Sequence, residues 1–470
     1  MGNLLETVDT DLMNKYDIYV FDYIEYPHKS LWSLKTSEDY KGALRDFFSL
    51  EDSPPLVLYV HIPFCEQMCW FCLCHLKITH DYERVKSYMK FLYRELDLLH
   101  KFFEADSILP NFKEVHLGGG SPTYLREPEF IELKEKLQSI VDFKNLAEFA
   151  IEIDPRRVDR DRLKFYREQG INRISFGVQD FDLEVQKAVN RVQPPELLEN
   201  LLTNEIRKSF DSINFDLLCG LPKQNRETIR RTIQKVIELS PDRIALSFMH
   251  YFPNHAPHQK IMKKEGELPD FRERKLIFHE AVQGLVDSGY VRTGFEHFAK
   301  PTDVVAQAVQ NKTVQYNSLG ATPGRCSYLI GLGEHSYSRV GPHYYFQNVY
   351  EQPVYEAAVL KGEFPIYRGH QLSQDDVIRR DIIHKLRSLF ELDCREIEQK
   401  YNIDFEDYFE EERFVLEEFV KDGMLDLSDD RIAITEIGKY FSNLVCRIFD
   451  RYSRGARYPY DFFEAPKIVL

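Results

Sequence analysis

Four cysteines, Cys65, Cys69, Cys72 and Cys74, fall within ten residues in the run PFCEQMCWFCLCH. Three residues separate the first pair and two the second, so one tight loop can aim three thiolates at three corners of an iron–sulfur cube. Soft thiolate ligands select iron–sulfur clusters, zinc or copper(I). Zinc is the bland alternative, but structural zinc sites usually take two ligand pairs separated by a longer loop. The remaining cysteines, Cys219, Cys326, Cys394 and Cys446, are scattered. That does not suit the disulfide framework of a small secreted chain.

A cube held by Cys65, Cys69 and Cys72 leaves one iron without a protein ligand. That iron can chelate the amino and carboxylate groups of S-adenosylmethionine (SAM). An electron passed into the sulfonium then breaks a carbon–sulfur bond, giving methionine and a 5′-deoxyadenosyl radical. The cofactors carry such chemistry, while the protein supplies position and excludes water. Trp70 and Phe71 suit aromatic cover for the cluster or for adenine, and Phe71, just before Cys72, is the better candidate. Further on, HLGGGSPTYL carries Gly118, Gly119 and Gly120, where missing side chains let backbone groups approach the aminoacyl part of SAM.

Such residues need a scaffold that repeats. Short apolar runs at 56–62, 114–120, 148–154, 173–179, 213–220 and 243–250 alternate with amphipathic stretches at 81–104, 127–141, 159–169 and 225–239. Alternating strands and helices demand a parallel sheet with right-handed crossovers. Six units predict an α/β fold, a partial (βα)6 barrel. The residues of interest end strands, where parallel sheets place their active sites. Residues 1–55, rich in Tyr, Phe and acidic groups, are expected to cover the barrel mouth, and 56–365 to form the barrel with substrate-covering insertions. Residues 366–470, helical from Ser373 and carrying the hairpin-like MLDLSDDRIAIT, predict a mainly helical C-terminal domain with a small wing.

The 470 residues are 43% apolar and 13% aromatic, enough for a sizeable core. A net charge of −15 excludes a sequence-independent nucleic-acid binder, which needs a basic face. No basic leader precedes an apolar run, and no stretch approaches the ~18 apolar residues of a membrane helix. Glu6 breaks a myristoylation signal. The protein is expected in the cytoplasm, with no membrane or nucleic-acid partner.

Taken together, YVHIPFC with its following C.FC.C, GGGSPTYL, IEIDPR, GVQDF, DLLCGLPKQ, EHFAKP and IRRDII make the chain resemble a known family. It is the oxygen-independent coproporphyrinogen III oxidase family of radical SAM enzymes. The likeness implies a radical SAM partial barrel that binds a 4Fe–4S cluster and two SAM molecules. It also implies a small-molecule substrate and a low-potential electron donor such as flavodoxin or ferredoxin. Carried over position by position, it implies Cys65, Cys69 and Cys72 as cluster ligands and Cys74 as a non-ligand. Tyr59, Phe71, Gly120, Ser121 and Glu152 would contact the first SAM, and Gly119, Gln179, Arg191 and Asp216 the second. The residue types agree, because carboxylates at strand ends can accept from ribose hydroxyls or an ammonium, and Arg191 can pair a carboxylate bidentately.

Two departures bear on the substrate. Where the oxidases carry an Arg before a Tyr-x-x-Tyr-Pro element, this chain has Asp22 before Tyr23, Tyr26 and Pro27. An acid there would repel a propionate that an Arg would pair. After EHFAKP the oxidases' Phe-Gln-Gly-Tyr-Thr-Thr is replaced by Ser318-Leu319-Gly320-Ala321-Thr322-Pro323, and Tyr337 stands at the position of a SAM-contacting Ile. Arg325, His335 and Tyr337 are gained in a rebuilt substrate wall, and Leu319, Arg325 and Tyr337 are read as the candidate catalytic residues. Intact SAM contacts beside a changed wall predict methyl or methylene transfer to an unsaturated carbon, giving C-methylation or a cyclopropane. The alternative is coproporphyrinogen III oxidation itself, which removes carbon dioxide from propionates and leaves vinyl groups. A non-catalytic haem-binding or cluster-carrying relative fits the full set of SAM contacts least.

Overall fold

The computed structural model describes residues 10–17, 23–50, 54–265 and 268–453. Its centre is a run of parallel strands: β1 (Leu56–Ile62), β2 (Phe112–Gly119), β3 (Glu148–Ile153), β4 (Arg173–Gln179), β5 (Ser212–Cys219), β6 (Arg243–Phe248) and β7 (Tyr328–Leu332). Strands β1 to β6 lie side by side in chain order, and β7 pairs parallel with β1 on its other side. Beyond β7 the sheet continues antiparallel through Tyr337–Val340, Tyr344–Asn348, Ile366–Gln371 and Ser33–Leu34. Beyond β6 it continues through His297–Ala299 and Val291–Arg292, making 13 strands in all.

The six expected strands are present, and the sheet is longer than six units. The short β7 escapes a search for strand–helix units because a hairpin, Gln315–Asn317 with Gly320–Thr322, precedes it instead of a helix. Strand Ile366–Gln371 belongs to this sheet, so the helical region begins after Ser373 and not at 366.

Strand alternation decides what each face holds. Leu58, Val60, Val115, Leu117, Phe149, Ile151, Ile174, Phe176, Ile213 and Phe215 belong to the main core. Helices α1 (Tyr82–Ala105), α2 (Glu127–Leu137), α3 (Arg160–Glu168) and α4 (Arg226–Leu239) contribute Leu92, Leu133, Leu163 and Ile233 to the same core. The polar residues among those between them point the other way. His116, Glu152, Arg173, Asn214 and Asp216 share a cavity of about 160 Å³ with His297, so the sheet curls around them. Asp81, Asp159 and Asn225 cap α1, α3 and α4, each accepting from a first-turn N–H. Between β4 and β5 the crossover is broken into short helices, the second of which starts at Pro195 behind Pro194.

The C-terminal part comprises α5 (Gln374–Leu389), α6 (Glu410–Lys421), α7 (Ser442–Ile448) and a three-stranded antiparallel sheet whose hairpin is Leu425–Ser428 with Arg431–Ile434. Ser373 caps α5 through a capping box. The N-terminal segment ties this part to the barrel. Tyr16 donates to Asp422 at 2.6 Å and Tyr23 to Asp450 at 3.0 Å, before Ser33–Leu34 joins the main sheet.

Candidate functional site

The cysteine loop leaves the carboxyl end of β1. A short parallel pair, Phe64–Cys65 with Lys77–Ile78, closes its base. Inside the loop the Cys72 amide donates to the Cys69 carbonyl at 3.1 Å. Three side chains hold it from outside. Asn190 Nδ2 donates to the Met68 carbonyl (2.8 Å), Gln259 Nε2 to the Phe71 carbonyl (3.0 Å), and His258 Nε2 lies 2.8 Å from the Cys72 carbonyl. Trp70 and Phe71 pack on an apolar floor of Val185, Val189, Leu221, Met249 and Met262.

Cys69 is buried, Cys65 and Cys72 are half-buried and Cys74 is exposed. Arg191 Nη1 lies 3.4 Å from Cys69 Sγ and Arg156 Nη2 3.9 Å from it. That places positive charge where an assembly of thiolates and iron would carry net negative charge. Burial, with Cys69 and Cys74 nearby, pushes the Cys65 thiol up to about 12, so taking up iron there must release a proton. Among the described residues no three metal-ligating side chains gather round one point as a single ion would need; a cube asks instead for one thiolate at each of three corners. A soft donor set, an adjacent guanidinium pair and an apolar floor fit a 4Fe–4S cluster.

The strand ends next to the loop bring most of the expected SAM contacts together. Glu152 on β3 accepts from the Gly119 amide at 3.1 Å and stands 3.1 Å from His116 Nε2. A side chain on Gly118 would strike Glu152 at 2.6 Å, and one on Gly119, whose φ is +116°, would strike the His61 ring at 2.7 Å. The glycines therefore make room for the protein's own walls. Tyr59 donates toward His61 Nδ1 (3.1 Å) and stacks on His116. The Ser121 hydroxyl pairs with Thr123 at 2.8 Å.

Asp216 on β5 accepts from Ser175 (2.9 Å) and Asn214 (2.8 Å); burial and the nearby Glu152 raise its carboxyl above the ordinary range. Gln179 ends β4 in the left-handed region, at φ +67°, a placement that non-glycine residues adopt at a cost. Arg191 Nη2 donates to the Gly177 carbonyl at 2.7 Å, while its buried Nε has no hydrogen-bond partner among the described residues. Asp154 links both arginines, bonding Arg156 at 2.7 Å and standing 3.6 Å from Arg191. Although burial opposes it, that pair holds the Asp154 carboxyl down at about 2.

Beside the loop opens a second, larger cavity of about 590 Å³, lined by Cys72, Cys74, Glu25, Lys29, Tyr350 and Arg368 among others. His28, His75, His250, His255, His258 and His335 also face it. Glu25 is its one carboxylate among the described residues. Burial, His75 and Lys29 push the His335 imidazole well below its usual range.

The three candidate catalytic residues of the rebuilt substrate wall take different positions. Leu319 borders the inner barrel cavity with His116 and Asp216 and packs on Val57 and Leu329. Tyr337 packs on Trp32 and Tyr345, with its hydroxyl turned toward Glu25 and Ser318. Arg325 is corrected outright. It precedes β7, whose Tyr328 registers with Leu56 at the start of β1, and its Nε stands 3.6 Å from Glu114. That is the amino end of the strands, opposite the cysteine loop. Asp22 lies outside the described residues. Sequence reasoning missed His61, His116, Asp154 and Arg368. The first two were signalled by polar residues recurring at every second position of apolar strands.

The radical SAM superfamily model matches residues 59–236, and the HemN C-terminal domain model matches residues 372–441. The oxygen-independent coproporphyrinogen III oxidase of Pseudomonas aeruginosa is 36% identical over 460 residues, covering 96% of this chain and 97% of that protein. The Escherichia coli protein of the same name is 35% identical over 448 residues, covering 95% and 96%. The solved coproporphyrinogen III oxidase from Escherichia coli, described as a radical SAM enzyme, superposes with a TM-score of 0.84 at 34% identity over 95% of this chain and 99% of that one.

These relatives overturn the expectation of methyl or methylene transfer. They match end to end and carry the oxidase name. The electrostatic argument behind that expectation also fails. It rested on a cation lost at position 22, whereas Lys29 and Arg368 bring positive charge to the cavity from elsewhere.

Proposed function

Because the chain belongs to the oxygen-independent coproporphyrinogen III oxidase family of radical SAM enzymes, we propose that it oxidises coproporphyrinogen III. Two propionate side chains each lose carbon dioxide, one hydrogen atom and one electron, and each becomes a vinyl group. The observation that carries this reading is the larger cavity. Lys29 and Arg368 line it together with Cys72 and Cys74, so a substrate with several carboxylates meets cations beside the cysteine loop.

The chain works with a 4Fe–4S cluster and SAM. When bound, these supply one-electron cleavage of a carbon–sulfur bond and a carbon radical that takes hydrogen. Cys65, Cys69 and Cys72 would hold the cluster. Tyr59, Phe71, Gly120, Ser121 and Glu152 would hold one SAM, and Gly119, Gln179, Arg191 and Asp216 a second. The remaining work falls to ordinary side chains. Asp154, ionised at neutral pH, fixes Arg156 and Arg191 against Cys69. Ser175 and Asn214 orient the two oxygens of Asp216. The apolar floor beneath Trp70 and Phe71 keeps water away. A low-potential carrier such as flavodoxin or ferredoxin would deliver the electron, in the cytoplasm; among the described residues no helix is long and apolar enough to cross a membrane.

The test is anaerobic incubation of the reconstituted protein with reductant, SAM and coproporphyrinogen III. Protoporphyrinogen should form. Consumption of SAM without any vinyl product would refute the reading.

A further inference from the structure

The larger cavity carries two cations that make no ion pair among the described residues. Arg368, on strand Ile366–Gln371, is 9% exposed. Its Nε donates to Gln347 Oε1 at 2.7 Å, and Gln347 Nε2 donates to the His335 carbonyl at 3.2 Å, so the guanidinium plane is fixed. Among the described residues no carboxylate pairs with it, and the residue lines the cavity. Buried arginines are ordinarily paired. Lys29 arrives from the adjoining segment. It opens the turn Lys29–Leu31, and Leu34 just beyond is the register partner of Arg368. Lys29 is exposed and lines the cavity, and it too makes no ion pair among the described residues.

The two cations stand within mutual influence. Burial lowers the Lys29 ammonium, Glu25 opposes that, and Arg368 adds to it. Lys29 also depresses His255 and His335 on the same walls, after burial itself. Like charges gathered in one cavity are unfavourable until an anion joins them. Glu25 makes no ion pair with either cation among the described residues, and burial raises its carboxyl above the ordinary range.

We propose that Arg368 and Lys29 form a carboxylate subsite that holds one propionate of the tetrapyrrole, Arg368 through its two Nη groups and Lys29 as a second point charge. The assignment rests on the reaction proposed above. A planar fork fits a carboxylate bidentately and fixes its direction, whereas an ammonium contributes charge alone. Holding one propionate at this wall orients the macrocycle relative to Cys72 and leaves the others to the remaining walls.

The test is equilibrium binding of coproporphyrin III, a fluorescent tetracarboxylate, and of its tetramethyl ester to the anaerobically reconstituted full chain. Wild type should bind the acid well and the ester at least about thirtyfold more weakly. Arg368→Gln and Lys29→Met should each weaken binding of the acid about tenfold or more, as expected for deleting one partner of a desolvated charge pair. Neither should change the ester's affinity, and Arg368→Lys should recover part of the loss. Iron content and melting midpoint report folding, and Lys29→Met keeps the test intact if Arg368→Gln does not fold. Acid binding within about threefold of wild type in both variants would overturn the subsite alone, provided wild type forms vinyl product. Charge-dependent binding with no vinyl product would leave the subsite standing and overturn the reaction. Wild type that does not bind the acid overturns both.

Discussion

Replacing Gln259 with alanine should loosen the cysteine loop without touching a cysteine. Gln259 is 0% exposed and joins three segments. Its Nε2 donates to the carbonyls of Phe71 (3.0 Å) and His250 (2.9 Å), and its Oε1 accepts the Phe252 amide at 2.6 Å. Each hydrogen bond contributes about 1 kcal/mol net, and a buried group left without a partner costs a further ~1–3 kcal/mol. The alanine variant should therefore lose about 4–6 kcal/mol. For a chain of this length the size scaling of unfolding entropy puts that at a fall of roughly 4–6 °C in the melting midpoint. The assay pairs thermal unfolding with the anaerobic rate of iron transfer to a chelator. Gln259→Glu sets a buried carboxylate against the Phe71 and His250 carbonyls, so at neutral pH it should be at least as destabilising as alanine. If the alanine variant melts within about 2 °C of wild type and surrenders iron no faster, the loop does not depend on this tie and the reasoning is wrong.

The other expectations follow from the same geometry. Anaerobic reconstitution should load about four irons per chain, as one cube requires. Cys65→Ala, Cys69→Ala and Cys72→Ala should each abolish SAM cleavage, while Cys74→Ala should leave the cluster assembled. Arg325→Ala should change turnover less than about threefold, because that side chain pairs with Glu114 at the far end of the strands; a large loss would restore it to the site. Glu95 accepts from Gly333, Tyr355 and Asn348 at 2.6–2.7 Å, and burial raises its carboxyl to about 7. A carboxyl raised on folding stays protonated longer in the folded chain, so its contribution falls as pH climbs from about 4.5 to 7, by about 3 kcal/mol. Glu95→Gln cannot titrate and presents an amide to donors, so it should be less stable than wild type, with the gap narrowing across that range in denaturant titrations. A gap that is constant or widens would contradict the buried neutral acid.

Much of this was legible because the barrel repeats one physical rule. Apolar residues at every second position of 56–62, 148–153 and 173–179 face the helices, and the polar ones between them must face inward. Glu152 and Asp216 could thus be placed at the mouth from sequence. The strand ends matched to within a residue or two because glycines and capping residues mark them. What sequence hid was distance. Arg325 follows Leu319 closely, yet the hairpin Gln315–Asn317 with Gly320–Thr322 carries it back to the amino end of β7. Lys29 and Arg368 are far apart in sequence and line one cavity beside the pairing of Ser33–Leu34 with Ile366–Gln371, two residues of antiparallel strand that no periodicity announces. The case against a porphyrinogen substrate rested on two local departures, Asp22 and the 318–323 segment, and sequence alone does not bring Arg368 to the cavity beside Lys29. His335 was singled out as a gained residue, but its place beside Lys29 depends on a left-handed turn at φ +59° that the sequence does not advertise.

The most direct test follows both carbons of the reaction at once. Anaerobically reconstituted protein is given reductant, SAM carrying a labelled methyl group, and coproporphyrinogen III labelled in its propionate carboxyls. The account predicts two labelled carbon dioxide molecules for each divinyl product, with the methyl label remaining in methionine. Methyl label in the tetrapyrrole, or SAM cleavage with no carbon dioxide released, would contradict it.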